Sequence, residues 1–234
     1  MYAGWNMSAT DLAEIDTFFI MSIDGSDGFE DLKPPWAIPH HKPGFAHGLA
    51  PPQGLEWAIK SDEGVGSILP KERVFLGIAW YEVRWACAGR GPFDGPCPLA
   101  DYHDGQPVKV NHSNNHATDY NQVAQSLLGN ASFLPRYENT TATYFVDITC
   151  PDDGPPVCPS KLCICYGWEG PSGPAQIFYD NPQTLRAKYE LAVSLGVGGV
   201  GPYFLNCLSR PHEMNNVSWA RDMWAALRDF ANPK

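Results

Sequence analysis

The sequence predicts an α/β fold built from βα units, and three observations carry that reading. Three short apolar runs read as strands buried on both faces, as in a parallel sheet. Segments with helical spacing of apolar residues accompany those runs. Between the second and third runs lies a long stretch punctuated by Gly, Pro and Asn, with local apolar–polar alternation of the antiparallel kind.

The first run, Asp16 to Asp24 (DTFFIMSID), is rich in β-formers and ends on an acidic residue before a glycine. A Pro- and His-rich loop follows from Pro34 to Pro52, then a short helix over Gln53 to Ser61 with Leu55, Trp57 and Ile59 as its larger apolar residues. The second strand is Val74 to Tyr81. From Glu82 to Pro174 we expect an insertion with a helix over Thr118 to Leu128 and antiparallel strands at Thr143 to Thr149 and Leu162 to Trp168. Ala175 to Tyr179 is a further short strand. Asn181-Pro182 caps a helix that Gly196 ends, since Asn accepts from free N–H groups and Pro fits the first turn. Val197 to Cys207 is the third buried strand, and Asn216 to Phe230 is amphipathic through Trp219, Met223, Leu227 and Phe230. No linker divides residues 1–234, which read as one domain.

With 44% hydrophobic and 12% aromatic residues, the chain can bury a sizeable core. A net charge of -10 without a Lys/Arg cluster disfavours nucleic acid as a partner. The apolar run Phe18 to Met21 is far too short to cross a membrane or to form a signal core. Seven cysteines, four of them at Cys150, Cys158, Cys163 and Cys165, suggest disulfides; zinc is the alternative, but the spacing C-x7-C-x4-C-x-C lacks a C-x2-C knuckle. Sequons at Asn6, Asn111, Asn130, Asn139 and Asn216 point with the cysteines to the secretory pathway. No leader opens the chain at Met1-Tyr2-Ala3-Gly4-Trp5, so an N-terminal part of the protein is expected to be missing from it.

Five motifs occur in one order along the chain. Met21-Ser22-Ile23-Asp24 is similar to M-x-Y-D, and Gly77-Ile78-Ala79-Trp80-Tyr81-Glu82 to G-x-P-W-Y-G. Gly91-Pro92-Phe93-Asp94-Gly95-Pro96-Cys97 is similar to the P-F-x-G-x-P-C loop. Phe178-Tyr179-Asp180-Asn181-Pro182-Gln183 is similar to W-Y-D-N-P-Q, and Gly199 to Leu208 to G-I-G-M-W-x-x-N-C-L. Collinear over nearly the whole chain, they resemble the C-terminal part of a glycoside hydrolase family 18 domain, of the chitobiase type. The resemblance implies a partial TIM (β/α)8 barrel, strands six to eight, with a small antiparallel β insertion at about 82–174.

It also implies action on N-acetylglucosamine oligosaccharides by substrate-assisted, retaining hydrolysis without a cofactor or metal, in a secreted or lysosomal protein. Asp24 would orient the sugar, with Tyr81 and Tyr203 beside it, Tyr203 standing where the family has a Trp. Ile23 replaces the family's hydroxyl-donating Tyr, and Glu82 replaces a Gly; the expected place of Glu82 is an exposed loop. The acid motif D-x-x-D-x-D-x-E is absent, so the chain as given is expected to be inactive. A carbohydrate-binding, lectin-like homologue and a non-functional fragment are the alternatives. Cys87 is expected to pair with Cys97, and Cys150, Cys158, Cys163 and Cys165 among themselves, leaving Cys207.

Overall fold

A computed structural model describes residues 14–21, 45–48, 52–60, 65–67, 69–80, 82–102, 106–107, 109–110, 133–150, 172–203 and 218–231. Two sheets organise them. The first contains strands β1 (Phe18–Met21), β2 (Val74–Ala79) and β10 (Gly199–Tyr203), in the order β1-β2-β10 and parallel throughout. The second is antiparallel, in the order β6-β3-β9-β8-β7, and contains β3 (Val83–Ala86), β6 (Lys109–Val110), β7 (Arg136–Glu138), β8 (Thr143–Cys150) and β9 (Gly173–Tyr179). A small ribbon pairs β4 (Asp101–Tyr102) with β5 (Gln106–Pro107).

Strand alternation decides which side of the parallel sheet is the core. Val74, Leu76, Ile78 and Trp80 are buried against helices α1 (Pro52–Lys60), α2 (Pro182–Leu195) and α3 (Ser218–Ala231), through Leu55, Ile59, Leu185, Tyr189 and Met223. On the opposite side, the Phe75 ring lies where a side chain on Gly199 would stand, and the Phe19 ring where one on Gly77 would stand. Phe19 keeps 52% of its surface exposed there. At the entry to β10, Gly198 donates its N–H to the Lys71 carbonyl at 3.0 Å, and a β-carbon would run into the carbonyl of Glu72.

Helix α2 follows its sequence signals. Asn181 accepts from the N–H groups of Gln183 and Thr184, Thr184 Oγ1 accepts from Asn181 N–H, and Pro182 occupies the first turn. Gly196 ends it with φ 75°, the left-handed conformation that costs glycine least.

The antiparallel sheet differs from the sequence expectation in two respects. It begins at Val83, inside a stretch read as irregular, and it takes in the strand expected over Ala175 to Tyr179 as β9, so it extends beyond the insertion bounded at Pro174. Both strands depend on remote partners: Val83 pairs with Phe178 and Ala86 with Ala175, so neither is marked by a local hairpin signal. The expected helix over Thr118 to Leu128 and strand over Leu162 to Trp168 lie outside the described residues.

Both faces of this sheet are covered. Ala86, Val146, Ile148, Cys150, Ala175, Ile177 and Tyr179 join the same core as β2 and the helices. Val83, Trp85, Phe145 and Phe178 form a smaller core with Ala46, Ala79, Cys87 and Cys97. Cys87 and Cys97 are joined by a disulfide with Cα atoms 5.6 Å apart, closing a loop of Gly and Pro. Cys150 is also disulfide-bonded. Cys158, Cys163, Cys165 and Cys207 lie outside the described residues.

Candidate functional site

Parallel strands present their C-terminal ends on one side, and the register defines that rim here. Met21 is level with Gly77, and Tyr203 is level with Ala79. Of the residues proposed from sequence, Tyr203 is placed by its backbone as the last residue of β10. Asp24, Ile23 and Tyr81 lie outside the described residues.

Beyond β2 the chain enters the antiparallel sheet through Glu82, and the structure corrects its expected exposure. Glu82 is buried and ion-paired with Arg84: the guanidinium donates to its Oε1 from Nε at 3.1 Å, and Nη2 lies 3.0 Å from the same oxygen. The physical reason is that residues two apart in a strand share a face. An acidic and a basic side chain at that spacing can neutralise each other in the interior. An engaged, buried carboxylate is poorly suited to deliver a proton to a bound substrate.

A second buried ion pair braces the junction between β9 and α2. Asp180 Oδ2 accepts from Lys188 Nζ at 2.8 Å, while Oδ1 accepts from Thr184 Oγ1 at 2.8 Å. Both charged side chains are almost fully enclosed, at 3% and 0% exposure. Burial pushes the Asp180 carboxyl up against the opposing pull of Lys188 and Thr184; burial likewise pushes Lys188 down. Next to this pair, Trp80 Nε1 donates to the Tyr189 hydroxyl at 2.8 Å, and the Trp80 ring meets Trp224 edge-on at 4.9 Å. Trp80 is thereby held rigidly at the end of β2.

Aromatic rings continue across the antiparallel sheet. Register places Tyr137, Tyr144 and Tyr179 side by side on β7, β8 and β9. Tyr144 lies 5.4 Å from Tyr137 and 6.3 Å from Tyr179 between ring centroids. Tyr179 is buried and its hydroxyl is pushed up to about 12, by burial first and by Tyr144 second.

On the other face, two side chains pin the disulfide loop. Gln176 Oε1 accepts from Cys97 N–H at 2.8 Å, and its Nε2 donates to the Gly95 carbonyl at 2.9 Å and to Asp147 at 2.8 Å. Arg136 donates to the Phe93 carbonyl and, at 2.6 Å, to Asp147. Trp85 donates to the His47 carbonyl at 2.7 Å, and Ala46 N–H reaches the Cys97 carbonyl, so the segment after β1 is tied to the same wall.

Sequence reasoning missed both buried pairs, although each has a legible signal. Glu82 stands two residues before Arg84 at the entry to β3. Asp180, Thr184 and Lys188 recur every four residues, the spacing of one helical stripe. Among the described residues, no group of three or more His, Cys, Asp or Glu side chains is arranged to hold a metal ion. No helix among them is long and apolar enough to cross a membrane.

No protein-family model matches the chain. It is 23% identical over 163 residues to the di-N-acetylchitobiases of Mus musculus and Rattus norvegicus, an alignment covering 69% of this chain and 38% of each relative. The chain thus spans about two fifths of the length of those relatives. The structure of a chitinase from Rhizomucor miehei matches with a TM-score of 0.57 at 15% identity, covering 97% of this chain and 56% of that one. A glycoside hydrolase family 18 N-acetylglucosaminidase from Paenibacillus barengoltzii matches with a TM-score of 0.53 at 16% identity, covering 95% of this chain and 50% of that one. A class V chitinase mutant from Cycas revoluta, in complex with (GlcNAc)3, matches at 0.55 and 13% identity, covering 94% and 48%. The chain therefore resembles part of a family 18 glycoside hydrolase of the chitobiase type, and at these identities the structural likeness speaks to the fold.

Proposed function

We propose that the chain forms strands six to eight of a family 18 (β/α)8 barrel and contributes one side of a site for N-acetylglucosamine oligosaccharides. The observation that carries this reading is the parallel order β1-β2-β10, whose C-terminal ends lie on one side. The antiparallel sheet enters directly from that rim, and the likeness to the chitobiases supports the substrate class. Asp24, Tyr81 and Tyr203 are the proposed sugar contacts. In this reading the protein belongs to the secretory or lysosomal compartment, and the proton donor comes from residues outside this chain.

The chain's own part in the chemistry is then to bind and orient. A carboxylate at Asp24 accepts hydrogen bonds from the sugar, and aromatic side chains cover the apolar face of the ring. The sugar's N-acetyl group attacks the anomeric carbon once the leaving oxygen is protonated. One observation favours a binding-only reading for the isolated chain: Glu82, the carboxylate at the rim, is engaged by Arg84.

Two measurements test this. The isolated chain should leave a chromogenic chitobioside uncleaved; turnover abolished by Glu82→Gln would identify Glu82 as the acid and overturn the assignment. In the complete protein, Asp24→Ala should weaken chitotriose binding in calorimetry by about 1–3 kcal/mol, the loss of a charged hydrogen-bonding partner. Tyr203→Ala should cost a similar amount through lost ring contact. Unchanged binding in both variants would remove the site from these strands.

A further inference from the structure

The sequon Asn139-Thr140-Thr141 falls in the tight connection between β7 and β8, whose register pairs Glu138 with Thr143. Asn139 is exposed at this tip. Two residues earlier stands Tyr137, an aromatic side chain with 48% of its surface uncovered on a strand edge. Asn139 is the first residue of the turn after β7, two positions beyond Tyr137, within reach for a sugar on its side chain to meet that ring. Tyr144 meets the Tyr137 ring edge-on at 61°, which fixes its orientation and leaves ring surface open.

The turn itself is tightly determined. The Glu138 carboxylate accepts from Thr140 N–H at 2.8 Å, from Thr141 N–H at 2.6 Å and from the Thr141 hydroxyl at 2.6 Å. The same hydroxyl lies 2.8 Å from Thr143 Oγ1, and Thr141 is 1% exposed.

We propose that Asn139 carries an N-linked glycan whose first N-acetylglucosamine packs on Tyr137. The apolar C–H face of the sugar would cover the uncovered ring, much as an aromatic neighbour would. Transfer forms a bond from Asn139 Nδ2 to the sugar C1 while the bond from C1 to the phosphate oxygen of a lipid-pyrophosphate-linked donor breaks. The phosphate leaves with the electron pair, and the amide proton goes to solvent. The sequon is read through the hydroxyl residue, and in the folded hairpin the Thr141 hydroxyl is enclosed. Transfer therefore precedes closure of the hairpin. This proposal is independent of the oligosaccharide-binding reading of the rim.

The test is expression through a eukaryotic secretory pathway, followed by peptide mapping and enzymatic trimming of the glycan. The peptide containing Asn139 should be modified. Protein trimmed to one N-acetylglucosamine should melt about 2–4 °C above protein stripped completely, the shift of a small packing contact in a domain this size. The difference should vanish in Tyr137→Ser. In the trimmed protein, ring current should move the sugar proton resonances upfield, a readout that needs no variant. An unmodified Asn139, a melting difference indifferent to Tyr137→Ser, or unshifted sugar resonances would each overturn the proposal.

Discussion

Asp180 and Lys188 show how a charged pair can hold an element junction in the interior. Each side chain has lost its water, and each compensates the other at 2.8 Å. Removing one partner is costly because the other charge remains buried. Asp180→Asn should therefore lower stability by about 3–5 kcal/mol in urea denaturation. Replacing the pair together, Asp180→Leu with Lys188→Met, should cost much less, since no charge is then stranded. Equal losses in the single and double variants would show that shape, not charge compensation, matters at this junction. Glu82 teaches a related lesson. Its place at a motif position where the family has a Gly suggested an open loop, but the partner that draws it inside is only two residues away.

At the scale of elements, the hairpin of β7 and β8 supplies a pH-dependent contribution. Burial pushes the Glu138 carboxyl up, but hydrogen bonds from the Thr141 hydroxyl and from the Thr140 and Thr141 N–H groups outweigh it, leaving the group below its ordinary value. A carboxyl held low in the folded state stabilises it above the unfolded value and loses that effect as pH falls through the folded value. The stability gap between wild type and Glu138→Gln should therefore shrink from about pH 6 to about pH 3. A constant gap would mean that Glu138 acts through shape alone. The clamp at Gln176 makes a second element-scale case. Gln176→Leu removes hydrogen bonds to Cys97 N–H, Gly95 carbonyl and Asp147, and should cost about 1–3 kcal/mol per buried group left unsatisfied. Amide exchange in residues 93–97 should accelerate first, with the Cys87–Cys97 disulfide intact. Helix α2 was legible because Asn181, Pro182 and Gly196 act on their immediate neighbours. Strand β3 was not, because its partner β9 lies roughly ninety residues away and no local residue announces the pairing.

For the whole molecule, the parallel sheet was legible in its three apolar runs, and the rim in the order of its motifs. The proposed sugar contacts were legible only by resemblance, because a lone Asp or Tyr at a strand end has no spacing that marks its chemistry. What the sequence did not display is that the two sheets share a core. Val74, Leu76 and Ile78 of one sheet and Val146, Ile148 and Ile177 of the other belong to a single buried cluster with Leu185 and Tyr189. Thermal unfolding should therefore give one calorimetric transition, with far-ultraviolet and tryptophan signals coinciding. Separated transitions would show that the antiparallel sheet is a domain of its own.

That shared core also limits how this architecture can be rebuilt over evolutionary time. An appendage with its own interior can be lost, exchanged or transplanted as a module. Here, excising the antiparallel sheet would uncover the residues of β2 and the helices that it packs against, so β8 and β9 are bound to their host. Freedom to vary is confined to places that pack against little, such as the exposed Asn139 and Thr140. Insertions at that tip should be tolerated while substitutions of Ile148 or Ile177 are purged, making the wall's outline adjustable and its base fixed.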